Sequence, residues 1–258
     1  MASTLTIEDR GHVRLIGLNR PEKRNAFTFA MLGELARAYT DLADDPNIRC
    51  GVVFAHGSMF TAGLDLADVA PHLMADEPMI GAARVDPWGI YGERCPKPIV
   101  LAIHGKCFTL GIELALASEI VVVDEGATFG QIEVSRGILP FGGATVRMIQ
   151  AGGYQNAMRW LITGDEFNAE DARALGMAQE IAPAGQALDR AVSIAERIAL
   201  QAPLGVAATL QSARQGQVDA PAALGGLYAQ VQSLFASADS QEAIAAFVER
   251  RPPRFEGR

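Results

Sequence analysis

Ile99-Val100-Leu101-Ala102-Ile103-His104-Gly105-Lys106-Cys107-Phe108-Thr109-Leu110-Gly111-Ile112-Glu113-Leu114-Ala115-Leu116-Ala117 holds the chain's grammar in nineteen consecutive positions. Ile99–Ile103 is apolar throughout and rich in β-branched residues, which predicts a strand buried on both faces. His104-Gly105-Lys106 breaks the run, and residues 110–117 then predict a helix that is apolar on every side except at Glu113. Such a helix is a buried one. A carboxylate inside it is costly unless it is paired or held protonated by a raised pKa. The plainer explanation is a glutamate in a first helical turn, favoured there by the helix dipole.

The same pattern extends in both directions. Leu5–Glu8 and Val13–Leu18 read as short strands joined at Asp9-Arg10-Gly11. Thr28 caps a helix to about Leu42, and Gly51–Ala55 is a buried strand ending at His56-Gly57-Ser58. Ile120–Val123 and Thr128–Gln131 precede the glycine-rich turn Pro140-Phe141-Gly142-Gly143. From Ala144 the periodicity is helical, over 144–151, 155–162, 169–175, 187–201, 204–215, 222–236 and 241–249, with one strand at 178–181. Apolar strands each followed by a helix predict an α/β fold around covered parallel sheet. Pro71, Pro78, Pro87, Pro96 and Pro98 mark a long surface excursion of the kind that lines sites.

Bulk properties narrow the functions. The 258 residues are 49% hydrophobic and 20% charged, with a formal charge of −8. That balance opposes nucleic-acid binding, which needs a basic face. No stretch reaches the roughly 18 uninterrupted apolar residues of a membrane span, and Glu8, Asp9 and Arg10 stand where a signal peptide needs an apolar run. The expected location is the cytoplasm. Cys50, Cys95 and Cys107 form no C-x-x-C pair and read as buried thiols. The four histidines are scattered, so no metal site is expected. The dinucleotide fingerprint, the P-loop, the serine elbow and H-E-x-x-H do not occur. Chemistry by carboxylates and backbone remains. Two basic clusters, Arg20-Pro21-Glu22-Lys23-Arg24 and Arg250-Arg251-Pro252-Pro253-Arg254, suit a small anionic ligand or simply a solvated face.

Ala62-Gly63-Leu64-Asp65-Leu66 and Phe108-Thr109-Leu110-Gly111 both join a strand to a helix. Turns of this kind present free N–H groups and the positive end of a helix dipole. Two of them facing one cavity can hold an oxygen that becomes negative during reaction; taken singly, glycines serving turns explain each. Glu133 is the second candidate carboxylate, though an ordinary salt bridge to Arg136 would also account for it.

Several of these stretches resemble the enoyl-CoA hydratase/isomerase (crotonase) superfamily. Asn19-Arg20-Pro21-Glu22-Lys23-Arg24-Asn25-Ala26 is similar to its N-terminal signature, and Phe60–Leu66 and Pro98–Ala117 to its two oxyanion segments. Phe129–Glu133 through Thr145, Leu161–Gly164, Ala172–Gly176 and Ala246–Arg251 continue the match in order. The resemblance implies a crotonase-like spiral of ββα units over residues 1–200, then a C-terminal helical trimerisation region over 201–258. It implies a homotrimer or dimer of trimers acting on an acyl-CoA thioester, with coenzyme A entering as part of the substrate and no other cofactor. Carried over position by position, the oxyanion donors are the backbone N–H groups of Leu64 and Leu110, and the catalytic pair is Glu113 and Glu133. Lys23, Ala26, Ala62, Asp65, Leu66 and Ala67 fall on the substrate-binding positions.

The implied reaction is hydration of a trans-2-enoyl-CoA, because both glutamates are present. Double-bond isomerisation, decarboxylation or thioester hydrolysis, and a non-catalytic CoA-binding or RNA-binding role are the alternatives. Three positions depart from the family. Leu110 stands where glycine is usual, Ile132 replaces a common proline, and Phe141 replaces a small residue. All three bear on the shape of the acyl pocket.

Overall fold

In the computed structural model, which describes residues 3–258, the strand that opens the deciding stretch is central. β1 (Leu5–Arg10) and β2 (Val13–Leu18) form an antiparallel hairpin, with Gly11 at φ 58° in the turn. α1 (Phe29–Asp44), capped by the Thr28 hydroxyl on the Met31 N–H, returns the chain so that β3 (Cys50–Ala55) lies parallel to β2. α2 (Leu66–Met74) and the proline-rich excursion lead to β4 (Ile99–Ile103), parallel to β3. Next come β5 (Lys106–Phe108), α3 (Leu110–Ala117), β6 (Ile120–Asp124) and β7 (Thr128–Gly130). α4 (Ala144–Gly152), α5 (Tyr154–Leu161), β8 (Glu166–Asn168), α6 (Ala169–Ala174), β9 (Glu180–Ala182) and α7 (Ala187–Ala199) complete this part. α8 (Pro203–Gly216), α9 (Ala220–Phe235) and α10 (Ala238–Glu249) follow without a further strand.

The larger sheet runs β1-β2-β3-β4-β6-β9 and the smaller β5-β7-β8. Strand alternation assigns the two faces of the larger one. In β4, Ile99, Leu101 and Ile103 join the main core under α1 and α3, while Val100 and Ala102 join a second cluster with Ala191 and Ala195 of α7. Every β4 side chain is therefore buried, as a strand covered on both faces requires.

Sequence reading missed β5 and β8, which are three residues each and form the small sheet with β7. It read the chain from Pro71 onward as a surface excursion. In fact α2 continues to Met74, because a proline near the end of a short helix removes only one bond there. α9 is apolar in composition, yet among its residues only Ala223 is buried, and Leu224, Tyr228 and Phe235 are exposed. Among the described residues no helix is long and apolar enough to cross a membrane.

Candidate active site

The two strand-to-helix turns abut. Thr61 forms an isolated parallel bridge with Cys107, and the Phe108 N–H donates to the Thr61 carbonyl. Gly63 has φ 90°, and a Cβ built on it would overlap the Thr109 hydroxyl, so a glycine is needed for the turns to close on each other. Thr109 itself adopts φ 50°, ψ −114°, a conformation uncommon for a β-branched residue. It tilts the chain into α3, so that Leu110 takes the first helical position. There the N–H has no intrahelical partner, and neither it nor the Leu64 N–H donates to an acceptor among the described residues. The buried Trp88 indole donates to the Leu110 carbonyl at 3.1 Å. The proline-rich excursion thus reaches back to brace this turn. Asp86, also buried, organises the excursion by accepting from the N–H groups of Trp88, Ile90 and Tyr91.

One turn further along α3, Glu113 is 2% exposed. Its Oε1 accepts from the Ala144 N–H at 3.1 Å, at the start of α4. Gly142 wraps the same carboxylate so closely that a Cβ there would overlap it. Burial raises the Glu113 pKa, while the backbone donors at Ala144 and Gly142 and the charge of Arg147 pull the other way. Glu133 opens a short 3₁₀ turn, Glu133–Arg136, and is 6% exposed. The amide of buried Gln131 donates to its Oε1 at 3.0 Å, and Oε2 has no partner among the described residues. Burial, with a smaller contribution from the nearby Glu113, pushes the Glu133 pKa up to about 7. No salt bridge joins Glu133 to Arg136 among the described residues, so the simple ion-pair explanation falls.

Both glutamates line one cavity of about 350 Å³. Leu64, Leu110, Lys23, Ala26, Ala62, Asp65 and Leu66 also line it, with Ile132, Ile138 and Phe141 supplying an apolar side. Ala67 is exposed and lies outside the wall. Asp65 is held by Arg20 at 3.0 Å, which joins the N-terminal basic cluster to the first turn. The C-terminal cluster is used differently. Arg251 pairs with Glu242 and Glu249, and the Arg254 N–H donates to Glu242. All three cysteines are buried free thiols, and burial raises their pKa values.

Gln131 was not singled out from sequence. A neutral amide beside a carboxylate carries no signal until the fold turns it inward.

The raised Glu133 pKa has a consequence for stability. A carboxyl group protonated more readily when folded than when unfolded stabilises the fold below about pH 4.5, and that contribution is lost as pH rises through about 7. Glu133→Gln removes the buried ionisation. It is therefore expected to melt above the parent chain at pH 8 and beside it at pH 4. A Tm difference independent of pH would contradict the assignment.

A model of the enoyl-CoA hydratase/isomerase family matches residues 8–258. The enoyl-CoA hydratase EchA19 of Mycobacterium tuberculosis is 32% identical over 256 residues, covering 98% of this chain and 96% of that protein. The 2,3-dehydroadipyl-CoA hydratase of Escherichia coli is 33% identical over 260 residues, covering 99% and 100%. Among solved structures, that of a probable enoyl-CoA hydratase/isomerase from Mycobacterium abscessus superposes with a TM-score of 0.97 at 47% identity, covering 99% of both chains. That of an enoyl-CoA hydratase from Mycobacterium tuberculosis H37Rv gives 0.89 at 32% identity, again covering 99% of each. The fold is the crotonase fold. With matches that span nearly its whole length, the chain belongs to the enoyl-CoA hydratase/isomerase family and is an enzyme of the enoyl-CoA hydratase type.

Proposed function

We propose that the enzyme adds water, in the syn sense, to a trans-2-enoyl-CoA and yields the 3-hydroxyacyl-CoA. The observation that carries this reading is the convergence of two buried carboxylates and two free backbone N–H groups on one cavity. The thioester oxygen accepts from the Leu64 and Leu110 N–H groups, which stabilise the negative charge that develops on it. Water attacks C3 and gives a proton to Glu113, while protonated Glu133 delivers its proton to C2. The C2–C3 π bond is consumed, and one oxygen and two hydrogens are gained. The unequal environments support the division of roles. Burial raises the pKa of both carboxyl groups, that of Glu133 to about 7, while the Ala144 and Gly142 N–H groups and the charge of Arg147 oppose the rise at Glu113. Lys23, Ala26, Ala62, Asp65, Leu66 and, just beyond the wall, Ala67 form the coenzyme A side. Coenzyme A arrives with the substrate, and no other cofactor enters the reaction.

The pH dependence of kcat/KM tests the roles directly. It is expected to fall about tenfold per unit above roughly pH 7, as Glu133 loses its proton. A profile flat to pH 9 would remove Glu133 as the acid.

The acyl end is short in this reading. Leu110 and Phe141 stand between the catalytic cavity and a void of about 10 Å³ lined by Leu32, Met79, Ile80, Trp88 and Tyr91. Leu110→Gly keeps the N–H and removes that partition. It is expected to raise kcat/KM for long enoyl chains relative to short ones, by about tenfold or more for a few added methylenes. An unchanged chain-length profile would place the acyl group elsewhere. We also propose that residues 201–258 form a trimerisation region, supported by the exposed apolar side chains of α9. Sedimentation should report three copies, or six, in a location we take to be the cytoplasm.

A further inference from the structure

A second cavity, of about 310 Å³, lies at the other end of α3, between β6, α4 and α8. Its wall carries three guanidinium groups, Arg94, Arg147 and Arg214, against a single carboxylate, Glu119. Neutral hydrogen-bonding groups, among them Gln150 and Gln179, complete the polar lining.

The guanidiniums are incompletely used. Arg214 donates to Glu119 at 2.6 Å and to the Cys95 carbonyl at 2.7 Å, but its buried Nε has no acceptor among the described residues. Arg94 donates to the Ala117 carbonyl at 3.1 Å and stands 3.8 Å from the Glu119 carboxylate that Arg214 already occupies. Arg147 makes only two long bonds, 3.4 and 3.5 Å, to the Gly142 and Gly89 carbonyls. Asp86 and Glu113 act on Arg147 electrostatically, but no salt bridge reaches it among the described residues. Burial lowers the pKa values of Arg94 and Arg147, the mark of positive charge without full compensation. All three arginines are half-buried, and charges drawn out of water are ordinarily paired. Within the wall three guanidiniums face one carboxylate, an excess of two positive charges that Asp86 and Glu113 offset at Arg147 without forming an ion pair.

We infer that this cavity binds a small dianionic oxyanion of the phosphate class, held by Arg94, Arg147 and Arg214. A phosphate at neutral pH carries a charge of about −1.5 to −2 and acceptor oxygens that match the planar guanidinium fork. The site is separate from the catalytic cavity: the two share no lining residue. This inference does not depend on which reaction the enzyme catalyses.

Calorimetric titration of the full chain with inorganic phosphate, at ionic strength held constant with chloride, tests it. One saturable site per chain is expected. Arg94→Gln and Gln217→Glu, the latter placing a carboxylate in the wall at constant size, should each weaken binding by about tenfold or more. Arg94→Lys should weaken it less, and Lys23→Ala, in the catalytic cavity, should leave it unchanged. Gln217→Glu keeps the test intact if Arg94→Gln lowers the melting temperature. Absence of saturable binding would overturn the inference. So would loss of binding in Lys23→Ala with both cavity variants unaffected, which would put the phosphate on the coenzyme A side. A chain that fails to bind phosphate, and whose Arg94→Gln variant sediments as a smaller species, would show instead that a second copy covers the cavity.

Discussion

Glu133→Gln should lower the rate of hydration by at least about two orders of magnitude while leaving the fold and thioester affinity in place. The amide is isosteric and its oxygen can still accept from the Gln131 side chain, which donates at 3.0 Å, but it has no acidic proton to deliver to C2. The loss is therefore expected in kcat, with KM little changed, and the fall in activity above about pH 7 should disappear with it. Glu113→Gln should lose as much by a different route. Its amide oxygen can keep the Ala144 N–H, while the base that takes the water proton is gone. Full hydration by either variant would end the two-carboxylate mechanism. Retained double-bond migration in Glu113→Gln, with hydration abolished, would favour isomerisation instead.

Leu110→Pro should abolish turnover by deleting one of the two donors to the thioester oxygen. One such donor typically contributes about 3–4 kcal/mol to the transition state, a factor of several hundred in rate. Leu110 is the first residue of α3, a position where proline is well accepted by the helix. The preceding Thr109, at φ 50° and ψ −114°, is where strain would concentrate, so the variant's melting curve has to be read alongside its rate. Leu110→Gly is the matched control. It changes the same side chain, preserves the N–H and is expected to retain turnover on short substrates. A folded proline variant with full activity would remove Leu110 from the oxyanion site.

Much of the fold was visible in the sequence because local chemistry and tertiary placement agree. Residues 99–103 and 110–117 are bounded by Pro98, His104-Gly105 and Ser118, and β4 and α3 begin and end where those residues stop the pattern. Thr28 capped its helix as its hydroxyl dictates. β5 and β8 escaped notice because three-residue strands carry no periodicity, and Lys106–Phe108 follows a turn signal. The catalytic candidates could be named from the family resemblance, but not their environment. Nothing local announces that Gln131 will face Glu133, or that Trp88 will fold out of a proline-rich excursion onto the Leu110 carbonyl. The arginine cavity was the least legible. Arg94, Arg147 and Arg214 come from segments far apart in the chain, and each alone reads as an ordinary surface charge.

The central claim is water addition to an enoyl thioester, and the most direct measurement follows absorbance at the enoyl-thioester band in water enriched in oxygen-18, across short and long trans-2-enoyl-CoA substrates. Disappearance of the band, with one labelled oxygen at C3 of the product, is the expected result, fastest on short chains. A band that persists on every substrate, or one that disappears into an unlabelled product with the double bond moved, would contradict it.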